Sequence, residues 1–183
     1  LAGFSMGGPI AIRYITKFGQ ENIDKLLLLA AAAPLFTQRN DFKYNLESKD
    51  VDDIITKIKE DRPAFLSEFA DMFFEQKHSP EFLQWFQMLG LEAGAHSTVN
   101  SAIALRDEDL RDELAGITLS TAIFHGKKDQ ICAYALGEEL EKQIPNSVLV
   151  PFNYSGHGIN ADEPERFNTE LIRFLKSTGV KSE

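Results

Sequence analysis

Gly3-Phe4-Ser5-Met6-Gly7-Gly8 follows two residues into the chain, and its reading decides the fold. The first five residues spell G-x-S-x-G. A turn of this kind takes a strand sharply into a helix. It holds the serine in a strained backbone conformation with its hydroxyl exposed above a sheet. The glycines are needed because side chains there would collide with neighbouring backbone. The N–H of Met6 then points to where the oxygen of an attacked carbonyl would lie, half of an oxyanion hole. Five residues alone are a weak signal, since a glycine-rich turn without chemistry has the same spelling. The surrounding sequence has to decide.

Downstream, Ala11, Ile15 and Phe18 recur at helical spacing, and Gly19 is a natural stop. Pro9 is tolerable because it falls in the first turn. Leu26 to Ala33 is apolar without alternation, the pattern of a strand buried on both faces of a parallel sheet. From 36 to 106 the texture is helical. Ile54, Ile55 and Ile58 mark one helix in 51–60. Phe65, Phe69, Met72 and Phe73 follow a first-turn Pro63, and Phe82, Trp85, Phe86 and Leu89 follow Ser79-Pro80. A further helix is predicted over 95–105. Strand–helix alternation then returns, with strands at 121–124 and 147–152 and helices at 133–143 and 164–176. This predicts an α/β fold with a mostly parallel sheet. Its core is divided into 1–35, from the serine turn, and 107–183, with a helical cap inserted over 36–106.

The bulk composition narrows the function. The chain has 183 residues, 43% hydrophobic and 26% charged, as a globular protein has. A formal net charge of −9 repels phosphates and anionic lipid, so nucleic acid and membrane are poor partners. No apolar run reaches the roughly 20 residues of a membrane span. Cys132 is the only cysteine, which fits a reducing, cytoplasmic compartment. The chain begins at Leu1 rather than methionine, so the lack of a visible leader carries little weight.

A serine hydroxyl is a poor nucleophile until a base takes its proton. Asp129, in His125-Gly126-Lys127-Lys128-Asp129, follows the strand at 121–124. His157, in Ser155-Gly156-His157-Gly158, follows the strand at 147–152. Both therefore fall at the C-terminal edge of a parallel sheet, where sites of α/β proteins gather. The order Ser5, Asp129, His157 is nucleophile, acid, base. A turn aspartate and a loop histidine are usually only solvated, and Asp107 and Asp162 compete for the acid role. Neither competitor directly follows a strand. His125 ends a buried strand and reads as structural, bonded to loop backbone.

These motifs resemble the α/β-hydrolase superfamily, and within it the bacterial esterases and cofactor-free (non-haem) haloperoxidase or perhydrolase-like proteins. Gly3 to Gly8 match the nucleophile turn, and 125–131 and 156–158 match the acid and base loops. Asp61 to Leu66 with Phe73-Phe74 is similar to the cap. The resemblance implies a serine hydrolase acting on carboxylic esters, with no cofactor and no metal. It also implies several strands before the serine turn, and a His-Gly-type loop giving a second oxyanion N–H. The sequence opens just ahead of Ser5, so the chain is expected to be a C-terminal portion without those strands. Its sheet edge is then expected to associate with itself or with a second chain.

The leading functional reading is hydrolysis of a small-molecule acyl ester by Ser5, His157 and Asp129, with Met6 in the oxyanion hole. Phe4, Phe65, Phe69, Phe73 and Trp85 are candidates for an apolar acyl pocket, although single aromatics of this kind more often only pack a cap on its core. Acyl transfer to hydrogen peroxide uses the same triad. The non-enzymatic alternative is an inactive fragment serving as an assembly piece.

Overall fold

The computed structural model describes residues 1–177. Four parallel strands, β1 (Ala2–Phe4), β2 (Lys25–Leu29), β3 (Ser120–Gly126) and β4 (Ser147–Phe152), pair in sequence order. Leu26 and Leu28 face one side of the sheet, where they pack with Ile12 and Ile15 of α1 (Gly7–Phe18), Leu114 of α5 (Arg111–Leu114) and Leu140 of α6 (Tyr134–Gln143). Leu27 faces the other side with Phe124 and Phe152, beneath Ile159 of α7 (Ile159–Asp162) and Phe174 of α8 (Pro164–Lys176). The unbroken leucine run of β2 is therefore a strand with two buried faces, each leucine contributing about 1.5–3 kcal/mol of burial.

The strand expected over Leu26–Ala33 is shorter than its apolar run. β2 ends at Leu29, and Ala30 turns with a φ of 42°. Ala30 to Ala33 are buried all the same: Ala31 and Ala33 pack with Ile12 and Ile15 of α1, where a Cβ on Gly8 would stand 2.5 Å from the Cβ of Ala31, and Ala32 packs with Leu35 and Leu136. Apolarity here records burial rather than strand.

Between β2 and β3 lie α2 (Ser48–Phe73), α3 (Pro80–Glu92) and α4 (Ala95–Asp107), none of which adds a strand to the sheet. The two helices expected at 51–60 and 65–73 are the arms of α2. Asp61 leaves the helical region between them (φ −149°, ψ 81°), and its carboxylate accepts the N–H of Ala64 at 3.0 Å. Asp61 thus caps the second arm, with Pro63 in its first turn. Ser79 caps α3 in the same way, accepting from Phe82 N–H at 3.2 Å. Neither α3 nor α4 contains a fully buried residue, and Trp85 remains 54% exposed.

Among the described residues β1 is paired only with β2, and its other edge carries no strand. Ile10, Tyr14 and Phe18, one stripe of α1, are exposed on the side of that helix that faces α4. No helix among the described residues is long and apolar enough to cross a membrane.

The serine turn is tightly built. A Cβ on Gly3 would lie 2.3 Å from the carbonyl oxygen of Gly7, which is backbone and has nowhere to go. Gly3→Ala is expected to destabilise the fold by about 1–3 kcal/mol, the usual cost of overpacking. Urea denaturation measures it, and an unchanged midpoint would show that the turn tolerates a side chain.

Candidate active site

Because the strands are parallel, the segments that follow β1, β3 and β4 emerge on one edge of the sheet. Those segments carry Ser5, Asp129 and His157. Ser5 has a φ of 50°, a left-handed conformation that is strained for a residue with a Cβ. It is held there from both sides. Its N–H donates to Leu29 O at 2.9 Å, and its carbonyl accepts from Gly8 N–H at 3.0 Å and Ala32 N–H at 3.1 Å. Met6 is the N-cap of α1, so its N–H stands at the positive end of that helix.

Asp129 and His157 are joined. The Nδ1 of His157 lies 2.8 Å from Asp129 Oδ2, with both side chains fully buried. Asp129 Oδ1 accepts the N–H groups of Ile131 and Cys132, each at 2.8 Å. Burial alone would raise the Asp129 carboxyl. Hydrogen bonds from His125 and His157 outweigh it and hold the group well below the ordinary carboxylate range. An ionised carboxylate can only accept, so the proton of this bond sits on His157 Nδ1 and the lone pair on Nε2. That Nε2 is buried and has no hydrogen-bond partner. No hydrogen bond joins it to Ser5 Oγ among the described residues. The Ser5 hydroxyl instead opposes the upward push that burial and Asp129 exert on the Cys132 thiol. Ligand-free sites often leave such a bond unmade until substrate arrives.

The loops that carry Asp129 and His157 support each other. Lys128 N–H donates to Ser155 O at 3.1 Å, and a Cβ on Gly126 would stand 2.1 Å from Gly156 O. His125 bonds loop backbone as expected, its Nε2 2.8 Å from Cys132 O. It also lies 3.5 Å from Asp129 Oδ2, a contact its position at the end of a strand does not announce.

Two cavities flank the serine turn. One of about 390 Å³ is lined by Phe4, Phe73, Phe74, Phe86 and Trp85. The rings of Phe4 and Phe73 lie 5.1 and 4.9 Å from that of His157, the latter edge-on at 89°. The other, of about 650 Å³, lies between α1 and α4 and is lined by Met6, Ile10, Phe36 and Ala104 among others. Phe65 and Phe69 line neither cavity. They stand back along α2, where Phe65 stacks on Phe69 and Phe69 meets Phe73 edge-on.

In the sequence Asp162 reads only as a rival acid. Its carboxylate is fully buried and accepts from Gly156 N–H, Glu75 N–H, Gln76 N–H and His78 Nε2. The available signal was its place five residues after His157, on the short α7 that follows the base loop.

A parallel sheet with a strained serine between its first strand and first helix, and an Asp–His pair on the same edge, is the architecture of the α/β-hydrolases. The chain belongs to that superfamily. No protein-family model matches it. It is 50% identical to the AB hydrolase superfamily protein YisY of Bacillus subtilis (strain 168) over 177 residues, 97% of this chain and 66% of that protein. It is 32% identical to the putative non-heme chloroperoxidase of Synechocystis sp., covering 96% of this chain and 66% of that protein. Among solved structures it resembles the esterase EaEST from Exiguobacterium antarcticum. The TM-score is 0.95 at 47% identity, over 97% of this chain and 66% of that one. The chain thus spans 66% of the length of each of these relatives.

Proposed function

We propose that this chain carries the nucleophile, acid and base of a serine esterase acting on small acyl esters. The observation that carries the reading is the buried Asp129–His157 pair, whose free Nε2 lies on the sheet edge where the strained Ser5 emerges. In this reading His157 Nε2 takes the Ser5 proton as Oγ attacks the ester carbonyl, and the Met6 N–H donates to the oxyanion. The protonated His157 then gives its proton to the leaving alcohol, and Asp129 stabilises the imidazolium throughout. Water, deprotonated by His157, then attacks the acyl-enzyme; the bond from the acyl carbon to Ser5 Oγ breaks, the acid leaves, and His157 returns its proton to Oγ. Each step needs only side chains and backbone, so the mechanism requires no metal and no cofactor.

The two apolar cavities suit the two halves of an ester, with Phe4, Phe73 and Trp85 against one half and Met6 beside the other. A second reading, acyl transfer to hydrogen peroxide, is favoured by the relative named putative non-heme chloroperoxidase. Peroxide would replace water at the deacylation step, and the product would be a peracid. The test of the common reading is labelling by a fluorophosphonate probe together with hydrolysis of a short acyl ester. Both are expected to require Ser5, and labelling that survives Ser5→Ala would end the proposal. Peracid formed in the same assay with peroxide present selects the second reading.

A further inference from the structure

The base of this site is not carried by its loop alone. His157 lies between two residues whose backbone N–H groups are both tied outward. Gly156 N–H donates to Asp162 Oδ2 at 2.7 Å, and Gly158 N–H donates to Phe73 O at 2.9 Å. Phe73 is the last residue of α2, so the second tie ends on the cap. The first tie also reaches the cap. Asp162 Oδ2 accepts Glu75 N–H at 3.0 Å, and Oδ1 accepts Gln76 N–H at 3.1 Å and lies 3.2 Å from His78 Nε2.

The approach is close, and a side chain at either glycine would make its neighbours shift. A Cβ on Gly156 would stand 3.0 Å from Glu75 N, and one on Gly158 would stand 2.5 Å from a ring carbon of Phe74. Two further bonds run alongside, from Gln76 Nε2 to Tyr154 O at 2.6 Å and from Lys128 Nζ to Glu75 Oε1 at 2.7 Å.

We propose that Asp162 is a positioning residue for the base, clamping the His157 loop to cap residues 73–78 so that the imidazole is held on Asp129 only while the cap is seated. The proposal rests on the esterase reading above.

The chemistry of the clamp is one-sided, since all four of its partners are donors. Three are backbone N–H groups, and His78 must present its Nε2 proton to a carboxylate that only accepts. A carboxylate meets four donors with two oxygens. A carboxamide of nearly the same shape places an NH2 group against at least one backbone N–H, and leaves that donor opposed. A shift of about 1 Å in a catalytic group can cost about 100-fold in rate.

The experiment compares Asp162→Asn, Asp162→Glu and His78→Phe in the protein carrying this chain. Two readouts are used: steady-state ester hydrolysis, and the far-downfield proton resonance of the His157–Asp129 hydrogen bond. Asp162→Asn is expected to lower kcat by about 100-fold with KM little changed, and to broaden or abolish the downfield proton. Asp162→Glu restores a carboxylate and should recover part of both. His78→Phe keeps the ring stack on Phe82 (4.6 Å, 25°) and removes one bond. It should fold, lower kcat less than Asp162→Asn, and weaken the proton signal in the same direction.

Wild-type kcat with an intact proton signal in folded Asp162→Asn overturns the proposal. The same result in His78→Phe does so if Asp162→Asn cannot fold. The proton signal belongs to the resting Asp129–His157 pair, so it judges the clamp even if Ser5→Ala shows the esterase reading to be wrong.

Discussion

Ser5→Ala is expected to lower kcat/KM for a short acyl ester by about 10^6-fold, the size of loss seen when a serine protease loses its nucleophile. The loss is of this order because no neighbour can take over. The thiol nearest to Ser5, Cys132, is buried, and burial pushes it toward the protonated, unreactive form. The residue that remains should not be entirely inert, since the Met6 N–H and the two cavities still bind. The part of catalysis that survives triad removal in such enzymes is about 10^3- to 10^4-fold over water. Steady-state kinetics and fluorophosphonate labelling measure the change. The Asp129–His157 pair makes no hydrogen bond to Ser5 and should be undisturbed, so the substitution reports on the nucleophile alone. A variant within tenfold of the parent would remove Ser5 from the mechanism.

Asp129→Asn is expected to cost about 10^4-fold in kcat, for a reason that can be read from its hydrogen bonds. Asp129 Oδ1 accepts two backbone N–H groups, from Ile131 and Cys132. An asparagine must keep its carbonyl oxygen there, which turns its NH2 toward His157 Nδ1. The imidazole then has to accept at Nδ1 and carry its proton on Nε2, the wrong tautomer for a base. Stability should change with pH in a matching way. The Asp129 carboxyl is depressed in the folded state, so the stability it confers is fully present above its ordinary value of about 3.9 and is lost as pH falls toward the lower folded value. Asp129→Asn should abolish that component of acid denaturation. A variant with parental kcat would show that the His157 tautomer is fixed by something else.

Much of this was legible because parallel sheets place chemistry in a regular way. Each of the three motifs follows an apolar strand, and that is enough to put them on one edge. The helices between β2 and β3 were legible from proline and serine capping signals, which act locally. What was hidden depends on contacts between distant segments. Asp162 looked like any loop acid because its partners lie more than eighty residues away, apart from Gly156. Phe65 and Phe69 share a helical face with Phe73, but only the last reaches His157, and periodicity cannot tell which turn of a helix meets a ring. Of the alanines after β2, Ala31 was apolar for the sake of Gly8 and Ala32 for the cluster around Leu35, not for a sheet, which composition does not distinguish.

The edge of β1 that carries no strand among the described residues bears on how this chain responds to its own concentration. Any copy that docks on that surface binds the folded chain and not the unfolded one, so folding and association become a single equilibrium. Its stabilisation then grows with the logarithm of concentration, by about 2.7 kcal/mol once the partner exceeds its dissociation constant a hundredfold. For the 183-residue chain, melting should therefore shift upward on concentrating the sample, in step with a rise in sedimenting mass above 20.5 kDa. A melting temperature and mass that both stay constant across the dilution series would mean the edge stands unoccupied at no cost.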